Sequence, residues 1–476
     1  MAYARQVIED GGIPEPSAIT VEGMLSEHSI DLAPPRDAGA LYSTATVAWN
    51  TDFDELTPLI TVQVGFGTNI DPATFKRTPL NLCLVIDRSG SMNEAFDERT
   101  RTSKLEAVRI AVDRLLARLK PSDRISVVAF ATDPGVLLDP VPGNDIAAVK
   151  SALDEIEVQG NTDLARGMLR GYRLVQSNHD ASRSDRLMVF TDARITAGVR
   201  QSGDLIAVME DFVAEGIGAT IVGVGTDFGQ ELAADISQVR GGNVVYLSDH
   251  DRIVQVFDEE FDFLVSPVAY DVRLAATIPF ALDVADAFGF PDAQAGGHTL
   301  ELLIPSRFYS ARQGGAAIFI RLRPGALVDF DETVEVATLT LDYRTSTGDS
   351  QSDSMQITLP VGQDPDAAEP YFETEATQRA VLLLNTALAL KNASRDAFEG
   401  YDRDEATGRT IYQFPELDDV NRALARLTEF LPYFDDLAAG LPDQSAPTSR
   451  SLSQERAVVE SLLNNIRDQH AFRETR

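Results

Sequence analysis

The run Asp87-Arg88-Ser89-Gly90-Ser91-Met92 sets a carboxylate and two hydroxyls at alternating positions. That set suits a hard divalent cation. Asp87 supplies charge, Ser89 and Ser91 supply compact neutral oxygens, and Gly90 lets the backbone curl round an ion. Mg²⁺ takes an octahedron of oxygens, keeps several waters and needs only one or two carboxylates. Two more pieces lie downstream. Gly160-Asn161-Thr162-Asp163 precedes a helical stretch and offers the Thr162 hydroxyl; Phe190-Thr191-Asp192 ends an apolar run and offers Asp192. The plain alternative for residues 87–91 is a turn closed by side-chain-to-backbone bonds. Thr162 and Asp192 weigh against it.

These residues need elements to position them. NLCLVID (81–87), RISVVAF (124–130), RLMVFTD (186–192) and GATIVGVG (218–225) are apolar runs of the kind found in strands covered on both faces. NVVYL (243–247) adds a fifth strand. Helical spacing marks Lys104–Leu119, 145–156, 163–176, Asp204–Ala214, Phe228–Gln238 and Arg252–Leu264. Strands alternating with helices imply a parallel sheet with helices on both faces. Ligands of such sheets bind at the carboxyl ends of the strands, where all three donor segments lie.

After Pro267 the alternation stops. YDVRLAA, HTLELLI, AAIFIRL, VEVATLTLDY and MQITLP read as strands of a β-sandwich. LYSTATVAW (41–49) and PLITVQVGF (58–66) read as two more that complete it. Short helices are expected before Gly11 and over Val21–Ser29, the second ended by Pro34 and Pro35. Glu375–Lys391, Leu417–Phe434 and Gln454–Phe472 read as long helices, with 442–451 a linker. The expected fold class is α/β: a doubly wound, mostly parallel sheet inserted in or followed by a β-sandwich, with a C-terminal helical region. The expected division is 1–40 helical, 41–77 strands joining the sandwich, 78–265 the α/β domain, 266–365 the sandwich and 366–476 helical.

In its donor segments the chain resembles the von Willebrand factor A domain family over about residues 78–265. DRSGSM, the GNTD stretch and the FTD strand end look like that family's metal-ion-dependent adhesion site. The resemblance implies that Ser89, Ser91 and Thr162 bind the ion directly and that Asp87 and Asp192 act largely through water. It also implies that a carboxylate, Asp or Glu, of a partner protein completes the coordination sphere. Mg²⁺ is the first choice of ion, and the same donors accept Mn²⁺ or Ca²⁺. Arg88, Met92, Asn161 and Asp163 are candidates for the ligand-facing rim. Arg88 departs from the family's usual small or apolar residue, and Ala193 from its frequent Gly; neither removes an oxygen donor. Arg88 either adds positive charge at the rim or pairs with a nearby acid. Outside that domain the chain is similar to bacterial proteins of the inter-alpha-inhibitor heavy chain and calcium-activated chloride channel-like group. YARQVIEDGGIPEPSAITVEGML looks like the segment that precedes the A domain in one bacterial branch, often behind a lipoprotein signal.

Composition narrows the classes. The 476 residues carry 74 Asp and Glu against 41 Lys and Arg, a net charge of -33. Such a surface repels nucleic acid, whose phosphates require clustered Lys and Arg. With 44% hydrophobic residues the chain can fill sizeable cores. The single cysteine, Cys83, allows neither an internal disulfide nor a cysteine-based cluster. The five histidines are scattered and match no ligand spacing. No run of about 18 apolar residues is present, so no transmembrane helix is expected. MAYARQVIEDGGIPEP has no apolar signal segment. The expected location is extracytoplasmic or cell-surface if an export signal is trimmed from upstream of Met1, and cytoplasmic otherwise.

Three imitations are set aside. GVGTDFG (223–229) lies at the fourth strand, has the wrong spacing for a dinucleotide fingerprint and reads as a turn with Gly at positive φ. The Asp-rich stretches 52–55, 329–333 and 401–408 match no EF-hand spacing. No GxSxG motif or base with a specific pattern is visible, so no enzyme activity is expected. The expected function is cation-dependent protein binding, as an adhesin or scaffold. The alternatives are an assembly subunit serving a MoxR-type AAA+ ATPase and, behind it, a metal-dependent enzyme.

Overall fold

The computed structural model describes residues 1–28, 30, 41–54, 56–68, 74–96, 101–192, 202–225, 236, 239–289, 297–308, 317–326, 328–345, 348–362, 370–403, 410–444 and 449–474. Helices α1 (Ala2–Glu9) and α2 (Val21–Ser26) open the chain. Glu27 already caps α2, so the helix ends before Ser29. The expected stop at Pro34 and Pro35 lies outside the described residues. Strands β1 (Leu41–Thr51) and β2 (Pro58–Thr68) form an antiparallel pair.

The α/β domain follows. Strands β3 (Leu80–Asp87), β4 (Arg124–Phe130), β5 (Gly135–Pro142), β6 (Ser184–Thr191), β7 (Gly218–Val224) and β8 (Gly242–Leu247) form one sheet in the order β5-β4-β3-β6-β7-β8. All its pairs are parallel except the edge pair β4 and β5. β3 is buried along its whole length, which is why its sequence is continuously apolar. Helices α3 (Lys104–Arg118) and α4 (Ile146–Asp154) pack on one face; α5 (Leu164–Ser177) and α6 (Ser202–Val213) pack on the other. The single helix expected over Arg252–Leu264 is instead α7 (His250–Val254), a π-helical stretch Gln255–Glu259 and α8 (Phe261–Leu264). The wider π turn brings Val256 and Phe257 to the core together. The helix expected over Phe228–Gln238 lies outside the described residues apart from Ile236.

Strands β9 (Pro267–Thr277), β10 (Leu282–Phe288), β11 (Thr299–Phe308), β12 (Ala317–Pro324), β13 (Val334–Thr345), β14 (Ser350–Leu359) and β15 (Tyr371–Phe372) complete two antiparallel sheets. Their orders are β10-β12-β2-β1-β15 and β11-β9-β13-β14. β1 and β2 thus sit inside the first sheet, and the α/β domain is an insertion between β2 and β9. Val47, Trp49, Ile60 and Val62 from one sheet meet Leu274, Leu339 and Leu341 from the other.

The outer face of the first sheet is covered by helices. In α9 (Glu375–Ala397), Thr377 Oγ1 donates to Thr46 Oγ1 of β1 at 2.7 Å. A hairpin of β16 (Gly400–Arg403) and β17 (Thr410–Gln413) leads to α10 (Leu417–Ala438) and α11 (Leu452–Glu474). The N-terminal helices join this layer: Ala4, Ile8, Met24 and Leu25 share a core with Leu383, Leu427 and Leu462. Asn465 Nδ2 donates to Ile8 O at 2.8 Å and to Gly12 O at 2.9 Å, tying α11 to the end of α1 and the turn after it. Among the described residues no helix is long and apolar enough to cross a membrane.

Candidate metal centre

The order of strands places the site. From β3 the chain moves outward to β4 and β5, then returns to the opposite side of β3 for β6 and continues to β7. The loops after β3 and β6 therefore diverge and leave a crevice at the carboxyl ends of these strands, the usual ligand position in open α/β sheets. Asp87 ends β3, and Asp192 follows directly on β6. Both carboxylates are 0% exposed.

Short bonds fix the first loop. Ser89 N–H donates to Asp87 Oδ1 at 2.8 Å, and Thr191 Oγ1 donates to Asp87 Oδ2 at 2.7 Å. Both oxygens of Asp87 are thereby oriented. Ser89 Oγ and Ser91 Oγ lie 3.3 Å apart. Backbone bonds lace the second loop to the first: Gly90 N–H donates to Gly160 O at 3.2 Å, and Gln159 N–H to Arg88 O at 2.7 Å. Asp163 N–H donates to Ala131 O at 3.0 Å, tying the same loop to the end of β4. Gly160 turns this loop at φ +75°, where a Cβ would lie 3.1 Å from Thr132 Oγ1. Thr162 is buried, Ser91 half-buried, and Gly90 and Asn161 are exposed.

Burial pushes the Asp87 carboxyl up, the hydrogen bonds from Thr191 and Ser89 oppose the rise, and the nearby Asp192 charge adds to it; the net shift is upward. Two carboxylates buried near each other call for positive charge, and Lys104 Nζ, 2.9 Å from Asp192 Oδ2, supplies one. The donors are oxygens only, mostly hydroxyls, which is the chemistry of Mg²⁺ and Mn²⁺ rather than of a softer ion. Among the described residues no group of three or more His, Cys, Asp and Glu forms a metal cluster. These residues fit a hard divalent ion: Ser89, Ser91 and Thr162 as neutral oxygens, Asp87 and Asp192 as charge.

The rim differs from expectation in three places. Met92 is 0% exposed and belongs to the core, because the 3₁₀ turn Gly90–Asn93 rotates it inward; it is not a rim residue. Asp163 caps α5, accepting from Arg166 N–H at 3.1 Å, so helix capping already occupies it. Arg88 is half-buried against Gln159, whose amide oxygen, in the orientation that satisfies both groups, accepts from both terminal guanidinium nitrogens. It therefore meets an amide where an acid had been weighed. Asn161 remains at the exposed rim.

Two residues were not foreseen. Thr191 orients Asp87. Lys104, the first residue of α3, is 1% exposed and donates from Nζ to Asp192 Oδ2 at 2.9 Å. Glu94 Oε2 lies 3.5 Å from the same nitrogen. The lysine stem runs past Gly225, which has φ +89° and where a Cβ would stand 3.0 Å from Lys104 Cε. The Gly at positive φ read from GVGTDFG thus makes room for this side chain. A buried cation in the first turn of a helix opposes the macrodipole, so its position is held by the carboxylate it meets. Position 104 reads as an ordinary surface lysine, and nothing local links it to Asp192.

Residues 82–194 match the family model of the von Willebrand factor type A domain. The chain is similar to the uncharacterized protein YfbK of Escherichia coli (strain K12), at 23% identity over 283 residues, covering 57% of this chain and 47% of YfbK. It is also similar to inter-alpha-trypsin inhibitor heavy chain H1 of Mesocricetus auratus, at 23% identity over 48% of this chain and 25% of that one. The chain thus spans about half the length of the first relative and a quarter of the second. Among solved structures, a von Willebrand factor type A protein from Catenulispora acidiphila aligns over 91% of this chain and 97% of that chain, at 13% identity and a TM-score of 0.47. Residues 82–194 of this chain are thus similar to the von Willebrand factor type A domain.

Proposed function

We propose that this chain binds a partner protein through a divalent cation held at the carboxyl edge of the α/β sheet. One observation carries the reading: two fully buried carboxylates, Asp87 and Asp192, lie within electrostatic reach of each other at the ends of β3 and β6, and the loops laced at the end of β3 bear the buried Ser89 and Thr162 and the exposed Gly90 and Asn161. In this reading Ser89, Ser91 and Thr162 touch the ion, Asp87 and Asp192 hold its water shell, and a partner's Asp or Glu takes the outward position. Mg²⁺ is the proposed resident ion. The ion contributes charge and directional coordination, and no covalent bond is made or broken.

The orientation of Asp87 by Thr191 and the backbone of Ser89 supports this reading, because a preformed donor set needs no reorganisation when the ion arrives. The exposed rim supports it too, since a fully enclosed ion could not meet a partner. The test is capture of binding partners by immobilised protein in Mg²⁺, in chelator, and with Asp87→Ala. A partner retained in Mg²⁺, released by chelator and missed by the variant supports the reading. A partner retained equally under all three conditions contradicts it.

A further inference from the structure

From the contact between Lys104 and Asp192, we infer that Lys104 is a built-in competitor of the divalent ion, which makes tight metal binding conditional on an acidic ligand. The inference deepens the proposed function and rests on it. Among the described residues, the fully buried charges at the site are Asp87, Asp192 and Lys104. Glu94, half-exposed, lies 3.5 Å from Lys104 Nζ.

A divalent ion added beside Asp192 meets the positive charge of Lys104, which repels it. A partner's carboxylate offsets that repulsion. Without Lys104 the same ion would meet Asp87 and Asp192 with that repulsion removed. The lysine therefore does two things. In the metal-free protein it is the counter-charge of Asp192, so the crevice is stable before any ion arrives. In the metal-loaded protein it adds a positive charge that favours anionic ligands. Both follow from one hydrogen-bonded ion pair of 2.9 Å with side chains 2% and 0% exposed. Lys104 is a positioning residue, acting through Asp192.

The experiment is an Mn²⁺ titration of the full chain, read as loss of the free-ion electron paramagnetic resonance signal, in chloride and in acetate at equal ionic strength. The proteins are wild type, Lys104→Met, Lys104→Arg and Asp192→Asn, each checked for folding by circular dichroism. The wild type should bind Mn²⁺ weakly in chloride and more tightly in acetate. Lys104→Met should bind Mn²⁺ in chloride tighter by about tenfold or more, the scale of removing one nearby buried charge, and lose the acetate effect. Lys104→Arg keeps the charge and should behave as wild type, a rescue that a purely steric role would not give. If Lys104→Met does not fold, Lys104→Gln, which keeps a hydrogen-bond donor without the charge, takes its place. Equal or weaker Mn²⁺ binding by the neutral variant, with the wild type binding and Asp192→Asn impaired, overturns the role of Lys104 and leaves the metal site standing. Absence of Mn²⁺ binding in every protein, with and without acetate, overturns the metal reading itself.

Discussion

Substituting Glu455 should release the N-terminal helices from the C-terminal layer, because this residue ties three separate segments together. Its carboxylate is 0% exposed. Oε1 accepts from Arg450 Nε at 2.8 Å and lies 3.1 Å from His28 Nε2, while Oε2 accepts from Arg5 of α1. Arg5 also donates to Glu27 at 2.9 Å. Burial alone would raise this carboxyl, but the bonds from His28, Arg5 and Arg450 bring it down to about 2 from an ordinary value of 4.5. A depressed folded-state value stabilises the fold above the unfolded value. That stability is lost as pH falls from 4.5 through about 2. The size of the shift corresponds to roughly 3 kcal/mol at neutral pH. Removing one partner of a buried ion pair costs a similar ~3–5 kcal/mol. Glu455→Gln should therefore lose about 3 kcal/mol of helical-layer stability at pH 7, and the gap to wild type should close as pH approaches 2. Urea unfolding followed by far-ultraviolet circular dichroism, across that pH range, measures both. A loss below about 0.5 kcal/mol at pH 7, or a gap independent of pH, would refute the reasoning.

Three further outcomes are expected. Gly167→Ala on α5 should destabilise the α/β domain by about 1–3 kcal/mol, because a Cβ there would stand 2.5 Å from the Phe130 ring; a thermal melt unchanged from wild type would contradict this. Asp163→Ala should cost about 1 kcal/mol through loss of the α5 cap and leave Mn²⁺ affinity unchanged, since its carboxylate accepts from Arg166 N–H; a large drop in affinity would return Asp163 to the rim. Arg186 is fully buried, bonded to Thr220 Oγ1 and Gly241 O at 3.2 Å each and stacked 5.0 Å from the Phe308 ring, and burial lowers its guanidinium to about 10. Arg186→Met should remain within about 1 kcal/mol of wild type or gain stability, as a desolvated cation is exchanged for apolar packing; a loss of several kcal/mol in urea unfolding would show that the cation is needed there.

The parallel strands were legible because their pattern is local. β3 is apolar at nearly every position and ends in its own Asp, so the strand and the acid at its end are read together. The edges were less legible. β5 carries Pro140 and Pro142 in a half-buried antiparallel edge strand, where proline is tolerated but reads as loop. β10, Leu282–Phe288, alternates acids with apolar residues and was passed over. The hairpin of β16 and β17 begins in the Asp-rich stretch 401–408, for which no strand was expected. Met92 was placed on the rim because linear order cannot show which way a 3₁₀ turn rotates a side chain. Lys104 was invisible for a different reason: its partner is 88 residues away. A long-range pair of that kind has no signature in spacing or periodicity.

The most direct test of the metal-bridge reading is a calorimetric titration of chelator-stripped protein with Mg²⁺ and Mn²⁺, alongside Asp87→Ala and Thr162→Ala, in the presence of acetate as a surrogate for the partner carboxylate. The predicted result is saturable binding of one ion by the wild type and none by either folded variant. Binding that survives both substitutions, or a wild type that takes up neither ion, would contradict a cation-bridged interaction at this site.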